Sequence, residues 1–416
     1  MQLRLVAFST ALLASAALAT GTVKPSVLST DGHARLPHVA PESTGMSTAR
    51  LALIDEVMSR AIAAGGFPGG AVIVGRRGAI VWERGYGNLD WTTGTPVDAE
   101  RTMYDVASLT KVVATTAATM VLVDRGRLRL DAPVVRTLPA FRGKGKDSVT
   151  IRDLLMHRSG LPAGRVLSRR GSVPASARKM VLSTPLVRQP GVKSEYSDLG
   201  LDVVGFAIER ITGQPLDRFL RKTVYDPLGM SSTMFRPGPT LQSRIAPTES
   251  RVARGQVHDR NASALGSVAG HAGLFATASD LAIFAQVMLD NGRANGKRFF
   301  AESTVSEFTR PGAGWRGLGW ETCYGGGSCG HYLSSRAFGH TGFTGTSMWI
   351  DPERDLFVIV LTNWIHGRAS GGVAPVAILQ DVRGDIADLA ALAISDGGQE
   401  PAMPWRLRSE LRIGWF

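Results

Sequence analysis

The chain is poor in cysteine and in lysine, and it has no second long apolar run. Its 416 residues hold two Cys, at 323 and 329. That excludes a disulfide scaffold and a usual four-ligand zinc site. A polytopic membrane protein needs several apolar runs of about 20 residues, and this chain has one shorter run, at residues 5–19. Charged residues are 20% and hydrophobic residues 44%, which excludes a disordered or collagen-like polymer. Of the 47 basic residues only eight are Lys. The formal net charge is +12, yet the basic residues are scattered, and clusters such as Arg142-Gly143-Lys144-Gly145-Lys146 are short. No dedicated nucleic-acid site is expected.

The N-terminus reads MQLRLVAFSTALLASAALA. One cation, Arg4, precedes the apolar run, and Ala17-Leu18-Ala19 gives an A-x-A cleavage pattern. Residues 1–19 read as a secretory signal peptide, with cleavage after Ala19 and a periplasmic or secreted product. No stable membrane span is expected after cleavage; the alternative is an uncleaved anchor. An exported chain meets an oxidising compartment. The string CYGGGSC, from Cys323 to Cys329, is then open to a small disulfide-closed loop or to two free thiols.

Residues 20–45 read as a linker rich in Pro, Ser, Thr and Gly. Leu51, Leu53, Ile54 and Val57 share one side of a helix over 46–64. Runs at 71–74 and 79–83, split by Arg76-Arg77-Gly78, read as a hairpin. A helix over 108–125 is apolar nearly all round, which marks a buried helix, and Gly126 stops it. From 136 to 309 the chain reads as helix and loop, with a capping box at Thr150 and Asp153. Strand signals return at 347–350 and 356–361, joined by a hairpin, and a helix follows over 373–392. This pattern predicts an α/β (α+β) fold: an antiparallel sheet flanked by helices and built from both chain ends, 46–135 and 310–394. A mostly helical domain, 136–309, is inserted between them, and 395–416 form a tail.

A G-x-S-x-G string surrounds Ser328, but a nucleophile elbow needs a strand before it and a helix after it. The flanks here read as loop. S-x-x-K occurs at Ser108–Lys111 and at Ser176–Lys179. The first opens the buried helix, so Ser108 and Lys111 share a face. Burial penalises an ammonium, so a buried Lys can take a proton from a hydroxyl. The start of the helix offers N–H groups to an oxyanion. Tyr196, in Tyr196-Ser197-Asp198, can relay a proton. His340-Thr341-Gly342 precedes a strand along which a substrate backbone can lie. A His there is placed to meet a substrate carboxylate. Each of these has a plainer reading: a helix cap, a packed Tyr, a turn.

Together the strings resemble the serine β-lactamase and penicillin-binding protein superfamily. The likeness is to the branch with class C β-lactamases, D-alanyl-D-alanine carboxypeptidases and related esterases. It runs over about 45–392, in the order SLTK, HRSGLP (157–162), YSD, GSVAGHAGLF (266–275) and GHTG (339–342). The resemblance implies an acyl-enzyme mechanism. Ser108 is then the nucleophile, and Lys111 and Tyr196 handle its proton. Backbone N–H groups of Ser108 and Phe343 hold the oxyanion, while Asp198, His340, Thr341 and Gly342 face the substrate. Neither metal nor cofactor is implied. The expected partner is a small molecule or a peptidoglycan peptide. Penicillin-active members usually carry Asn where this chain has Asp198. An ionised Asp cannot donate to a substrate carbonyl, which favours an esterase or amidase over an efficient β-lactamase. The alternatives are a β-lactamase, a penicillin-binding or cell-wall sensing module without turnover, and a lipase built on Ser328.

Overall fold

The computed structural model describes residues 34–168, 173–312, 316–366, 376–405 and 407, and the backbone of Val27–Leu28. The signal-peptide reading at 1–19 and the tail from 408 onward lie outside the described residues. Val27–Leu28 pairs with Ala34–Arg35 inside the stretch read as linker. Helix α1 (Leu53–Ala63) buries Ile54, Val57, Met58 and Ala61. Strands β1 (Gly69–Arg76) and β2 (Ala79–Gly87) form the hairpin. Its two turn residues, Arg77 (φ 52°) and Gly78 (φ 81°), are both left-handed, which suits the twist of the flanking strands.

Strand β3 (Tyr104–Asp105) leads into a π-helical turn, Lys111–Thr116, and then α2 (Ala117–Asp124). The helix is buried from Lys111 to Leu122 and stops at Gly126 (φ 63°). Thr150 and Asp153 form the capping box. Helix α3 (Asp198–Thr212) is capped by Ser197 and ended by Gly213 (φ 70°). The middle region also supplies strands β4 (Met234–Phe235) and β5 (Leu274–Ala276). Helix α4 (Ala278–Leu289) follows. The C-terminal part adds β6 (Glu321–Thr322), β7 (Phe338–Gly342), β8 (Thr346–Asp351), β9 (Leu356–Thr362) and α5 (Val376–Leu392).

The main sheet has the order β6-β7-β8-β9-β1-β2, antiparallel throughout. Pairing of β9 with β1, Val358 opposite Val74 and Thr362 opposite Gly70, joins the two ends of the chain. Both faces are covered. Val72, Val74, Val358 and Val360 pack under α1 and α5; Ala71, Ile73, Ile359 and Leu361 face the other layer. This is why the central strands read as unbroken apolar runs. Two features depart from the sequence reading. The stretch from 136 to 309 is not helix and loop alone, because β4 and β5 join β3 in a second, three-stranded sheet. Helix α4, grouped by sequence with the helical insert, packs on β1, β8 and β9.

Ile359 is fully buried in the central strand. Ile359→Ala is expected to cost about 2–5 kcal/mol. The check is urea unfolding, with a lowered midpoint at unchanged slope.

Candidate active site

The approach to Ser108 is built by a strained turn. Strand β3 is held by β5, with Asp105 opposite Phe275, and the Val106 N–H donates to the Leu274 carbonyl at 3.0 Å. Ala107 then sits at φ 46°, a left-handed conformation that costs a non-glycine residue about 1–3 kcal/mol. The buried Asp105 carboxylate holds it there, accepting the Ala107 N–H at 2.9 Å with one oxygen and the His258 N–H at 2.8 Å with the other. Ser108 follows at the head of the helix. The π-helical turn begins at Lys111, an arrangement frequent at functional sites.

The Lys111 amine is fully buried and meets three acceptors: Ser108 Oγ at 2.9 Å, the His271 carbonyl at 3.1 Å and Asp198 Oδ1 at 2.7 Å. The first two accept hydrogen bonds, and the third holds the amine as an ion pair. Burial pulls its pKa down, but the Tyr196 oxygen and the Asp198 carboxylate outweigh that, and the net direction is up. This corrects the sequence expectation that burial alone turns Lys111 into a base: the group is an ammonium. Tyr196 Oη donates to Ser108 Oγ at 2.8 Å, and the Lys111 amine lies 4.7 Å from the centre of its ring. Ser108, Lys111, Tyr196 and Asp198 therefore form one cluster.

The end of β7 is fastened to the same turn. Thr344 Oγ1 donates to the Asp105 carbonyl at 2.6 Å, and Thr346 Oγ1 to the Val106 carbonyl at 3.0 Å. From the other side the Arg383 guanidinium donates to the carbonyls of Gly342 and Thr346 at 2.6 and 2.8 Å. A Cβ at Gly342 would strike Thr346 Oγ1 and the Val106 carbonyl, so glycine permits the close approach. Neither the Ser108 nor the Phe343 backbone N–H meets a backbone acceptor among the described residues. Strand β6 pairs with β7 through Gly339 and Phe338 alone. The edge at His340-Thr341-Gly342 is thus left unpaired by β6, beside Ser108. The Phe343 ring is 62% exposed and stacks on His258 at 5.6 Å, forming an apolar plate at the rim.

His340 departs from its expected role. Its ring is buried, Nδ1 bonds the Thr341 carbonyl at 2.7 Å, and Nε2 has no partner among the described residues. Burial drives its pKa down to about 4. A neutral imidazole in this tautomer has no proton on Nε2, so it is not a cation for a substrate carboxylate. His157, in the HRSGLP string, is buried and likewise pushed well below its usual value by that burial. Its ring lies 4.7 Å from that of Tyr196 and supports the phenol. His271 is the opposite case. Burial opposes its charge, but Asp202 at 2.7 Å and Asp259 at 3.2 Å push its pKa well up. It anchors the backbone whose carbonyl receives Lys111.

The other serine candidates fall outside this cluster. Ser176 bonds its own helix start at Val173. Ser328 lies in a short turn, Gly327–Cys329, and Cys323 and Cys329 are disulfide-bonded. Sequence reasoning gave no role to Asp105, His271 or Arg316. Asp105 had a signal: an Asp two residues ahead of a strained position marks an Asx-type turn. Arg316, whose guanidinium sits 5.3 Å from the Tyr196 ring centre, had none.

A β-lactamase family model matches residues 54–383. The chain belongs to the β-lactamase family. It is thus a serine hydrolase by family, and its relatives bear several enzyme names. A Salmonella paratyphi B protein named as a D-alanyl-D-alanine carboxypeptidase is 35% identical over 379 residues, covering 80% of this chain and 86% of that one. A Bacillus subtilis N-acetylmuramyl-L-alanine amidase is 34% identical over 373 residues, covering 78% and 83%. A penicillin-binding protein homologue from Caulobacter crescentus has the same fold, with a TM-score of 0.67 at 22% identity over 84% of this chain and 99% of that one. The hydrolase EstCE1, with promiscuous acyltransferase activity, gives 0.66 at 22% identity over 83% and 100%.

Gly342→Ala is expected to force β7 away from the Ser108 turn. The Val106 carbonyl is backbone and cannot yield. Esterase kcat/KM should fall more than about 10-fold, the scale of a small displacement at a reacting centre. Steady-state kinetics alongside a thermal melt check it.

Proposed function

We propose that this chain is an exported serine hydrolase that works through an acyl-enzyme, acting on peptides that end in D-amino acids and, more loosely, on esters. One observation carries the reading: Ser108 Oγ receives both Lys111 and Tyr196 at the head of a buried helix, beside an open strand edge. With Lys111 an ammonium, the proton acceptor is the Tyr196 oxygen, which takes the Ser108 proton once it has given up its own, and the ammonium beside it offsets the charge. Ser108 Oγ attacks the carbonyl carbon as its proton passes to Tyr196. The Ser108 and Phe343 N–H groups receive the oxyanion. Tyr196 returns the proton to the departing amine or alcohol. Water then attacks the ester on Ser108, giving its proton to Tyr196 and from there to the serine. The peptide substrate is supported by the open β7 edge and by relatives named for bonds in cell-wall peptides. Export rests on the reading of residues 1–19.

Asp198 Oδ1 is engaged by Lys111 and cannot donate to a β-lactam carbonyl. Short p-nitrophenyl esters should therefore turn over faster than nitrocefin. The reverse ranking would remove this account of Asp198. A fluorophosphonate probe should add one mass label to the intact protein, mapping to the peptide with Ser108. Ser108→Ala should abolish label and hydrolysis together, while Ser328→Ala should leave both. Many turnovers per enzyme are expected; a single stoichiometric burst would point to a sensing module.

A further inference from the structure

A second polar centre surrounds a cavity of about 560 Å³, built by residues that the hydrolytic machinery does not use. Three stretches of chain supply it. The first runs beside β2, the outer strand of the main sheet. There the Val39 N–H donates to the Ile80 carbonyl at 3.1 Å and the Ile80 N–H to the Pro37 carbonyl at 2.8 Å, so His38 stands against the strand. The second is β2 itself, with Glu83. The third leads into β3 and carries Glu100. His38 Nε2 lies 3.3 Å from Glu83 Oε2. One ligand atom from each of His38, Glu83 and Glu100 falls within 4.8 Å of the other two.

Burial and spacing both argue for a cation among these groups. The Glu83 side chain is 9% exposed, and a buried carboxylate is costly without a positive partner. Among the described residues its partners are the Ser279 hydroxyl, which donates to Oε1 at 3.1 Å, and the His38 ring. The hydroxyl, from the start of α4, orients the carboxylate and leaves Oε2 toward the imidazole, as outer contacts do around a bound metal. A charge-assisted hydrogen bond is usually about 2.7–2.9 Å long. Bonds of about 2.0–2.1 Å to one zinc ion instead set two ligands about 3.3 Å apart. Glu100 is half exposed, so its side chain can rotate inward. Other charged groups of the wall are committed. Asp280 Oδ2 accepts the Ser232 N–H and the Thr233 hydroxyl, both at 2.8 Å. Arg244 donates to the Arg101 carbonyl at 3.1 Å and to the Ser232 hydroxyl at 3.0 Å. Arg101 is exposed. Arg35 is the competitor: it is exposed, with Nη1 3.6 Å from Glu100 Oε2.

We propose that His38, Glu83 and Glu100 bind one divalent transition-metal ion, which fastens the 37–39 stretch and the approach to β3 onto the outer strand. An imidazole nitrogen beside two carboxylates suits zinc, whereas calcium and magnesium prefer oxygen ligands alone. The role is structural: Glu100 precedes β3 and Ser108 follows it, and no residue of the catalytic cluster lines the cavity. The test titrates zinc into the full chain, prepared without a histidine tag, by calorimetry and by thermal melt. One equivalent should bind, and zinc at about 100 times its Kd should raise the melting temperature by about 3 °C over EDTA. His38→Ala and Glu100→Gln change exposed side chains and should melt like the wild type in EDTA. Both should lose the zinc shift and bind more than about 10-fold more weakly, the least that losing even an outer contact costs. Arg35→Met removes the competing cation and should tighten binding several-fold. His331→Ala, at an exposed histidine outside the cavity, should change nothing. Absence of zinc uptake by the wild type overturns the site, as does a zinc shift that survives both ligand variants. Loss of the shift in His331→Ala would mark an adventitious surface ion and overturn it as well. Binding and melting are read without substrate, so the result stands apart from the peptide reading above.

Discussion

The buried ammonium of Lys111 is the constraint around which the molecule is organised. A lone charge in such a place costs several kcal/mol after relaxation. It is tolerated because three parts of the chain converge on it: Ser108 from its own helix, Asp198 from the start of α3, and the His271 carbonyl from the loop before β5. Two of those acceptors belong to the middle region. Docking that region on the sheet and satisfying the lysine are therefore one event. His271 extends the logic. Its carbonyl serves Lys111, while its ring is an imidazolium held by Asp202 and Asp259. Charges of alternating sign run from the nucleophile into the helical layer.

This socket also decides which group handles the proton. A lysine held by two hydrogen bonds and an ion pair is a source of positive potential, not a base. The histidines nearest the cluster, His157 and His340, are made neutral by burial. The other side chain in contact with Ser108 Oγ is the Tyr196 phenol. Its ring is fixed by His157 on one side and approached by Arg316. The strain at Ala107 fits the same account, because Asp105 spends a buried carboxylate to hold the turn that aims the hydroxyl.

Much of the architecture was legible in the sequence because its signals are local. Periodicity, the capping box at Thr150, the stop at Gly126 and the Arg77-Gly78 turn each act within a few residues. The union of the two chain ends could be read from strands at both ends with helices between. What local pattern could not show was competition between long-range terms. Burial of Lys111 predicts a lowered pKa; Asp198, 87 residues away in sequence, reverses it. His340 shows the same limit in the other direction. Its position in the GHTG string suggests a cation, and its burial removes the charge. Helix α4 has the composition of any buried helix, and nothing local says whether it packs on the sheet or among helices. Arg316 follows no motif, and its place over Tyr196 depends on the tertiary fold.

The opening beside Ser108 has its own structural cause. An exposed strand edge is ordinarily a liability, since it invites pairing with any passing strand. Here β6 covers just the first two residues of β7 and then leaves the sheet at Cys323. The chain turns into the ring closed by Cys323 and Cys329. That ring is pinned from below by Asp388, a buried residue of α5 whose Oδ1 accepts the N–H groups of His331 and Tyr332. Close packing of Gly330 on the same carboxylate leaves no room for a side chain there. The ring lies at the Phe338 end of the pairing, however, because β6 runs antiparallel to β7; cover for His340-Thr341-Gly342 would have to come from the residues before Glu321, and these fold back, the Gly317 N–H donating to the Trp320 carbonyl at 3.0 Å. The segment before β6 is held elsewhere, the Leu318 N–H donating to the Phe308 carbonyl and the Gly319 N–H to the Leu155 carbonyl, so it is the approach to β6 and not the Gly-rich string after it that leaves the neighbouring strand available to a substrate.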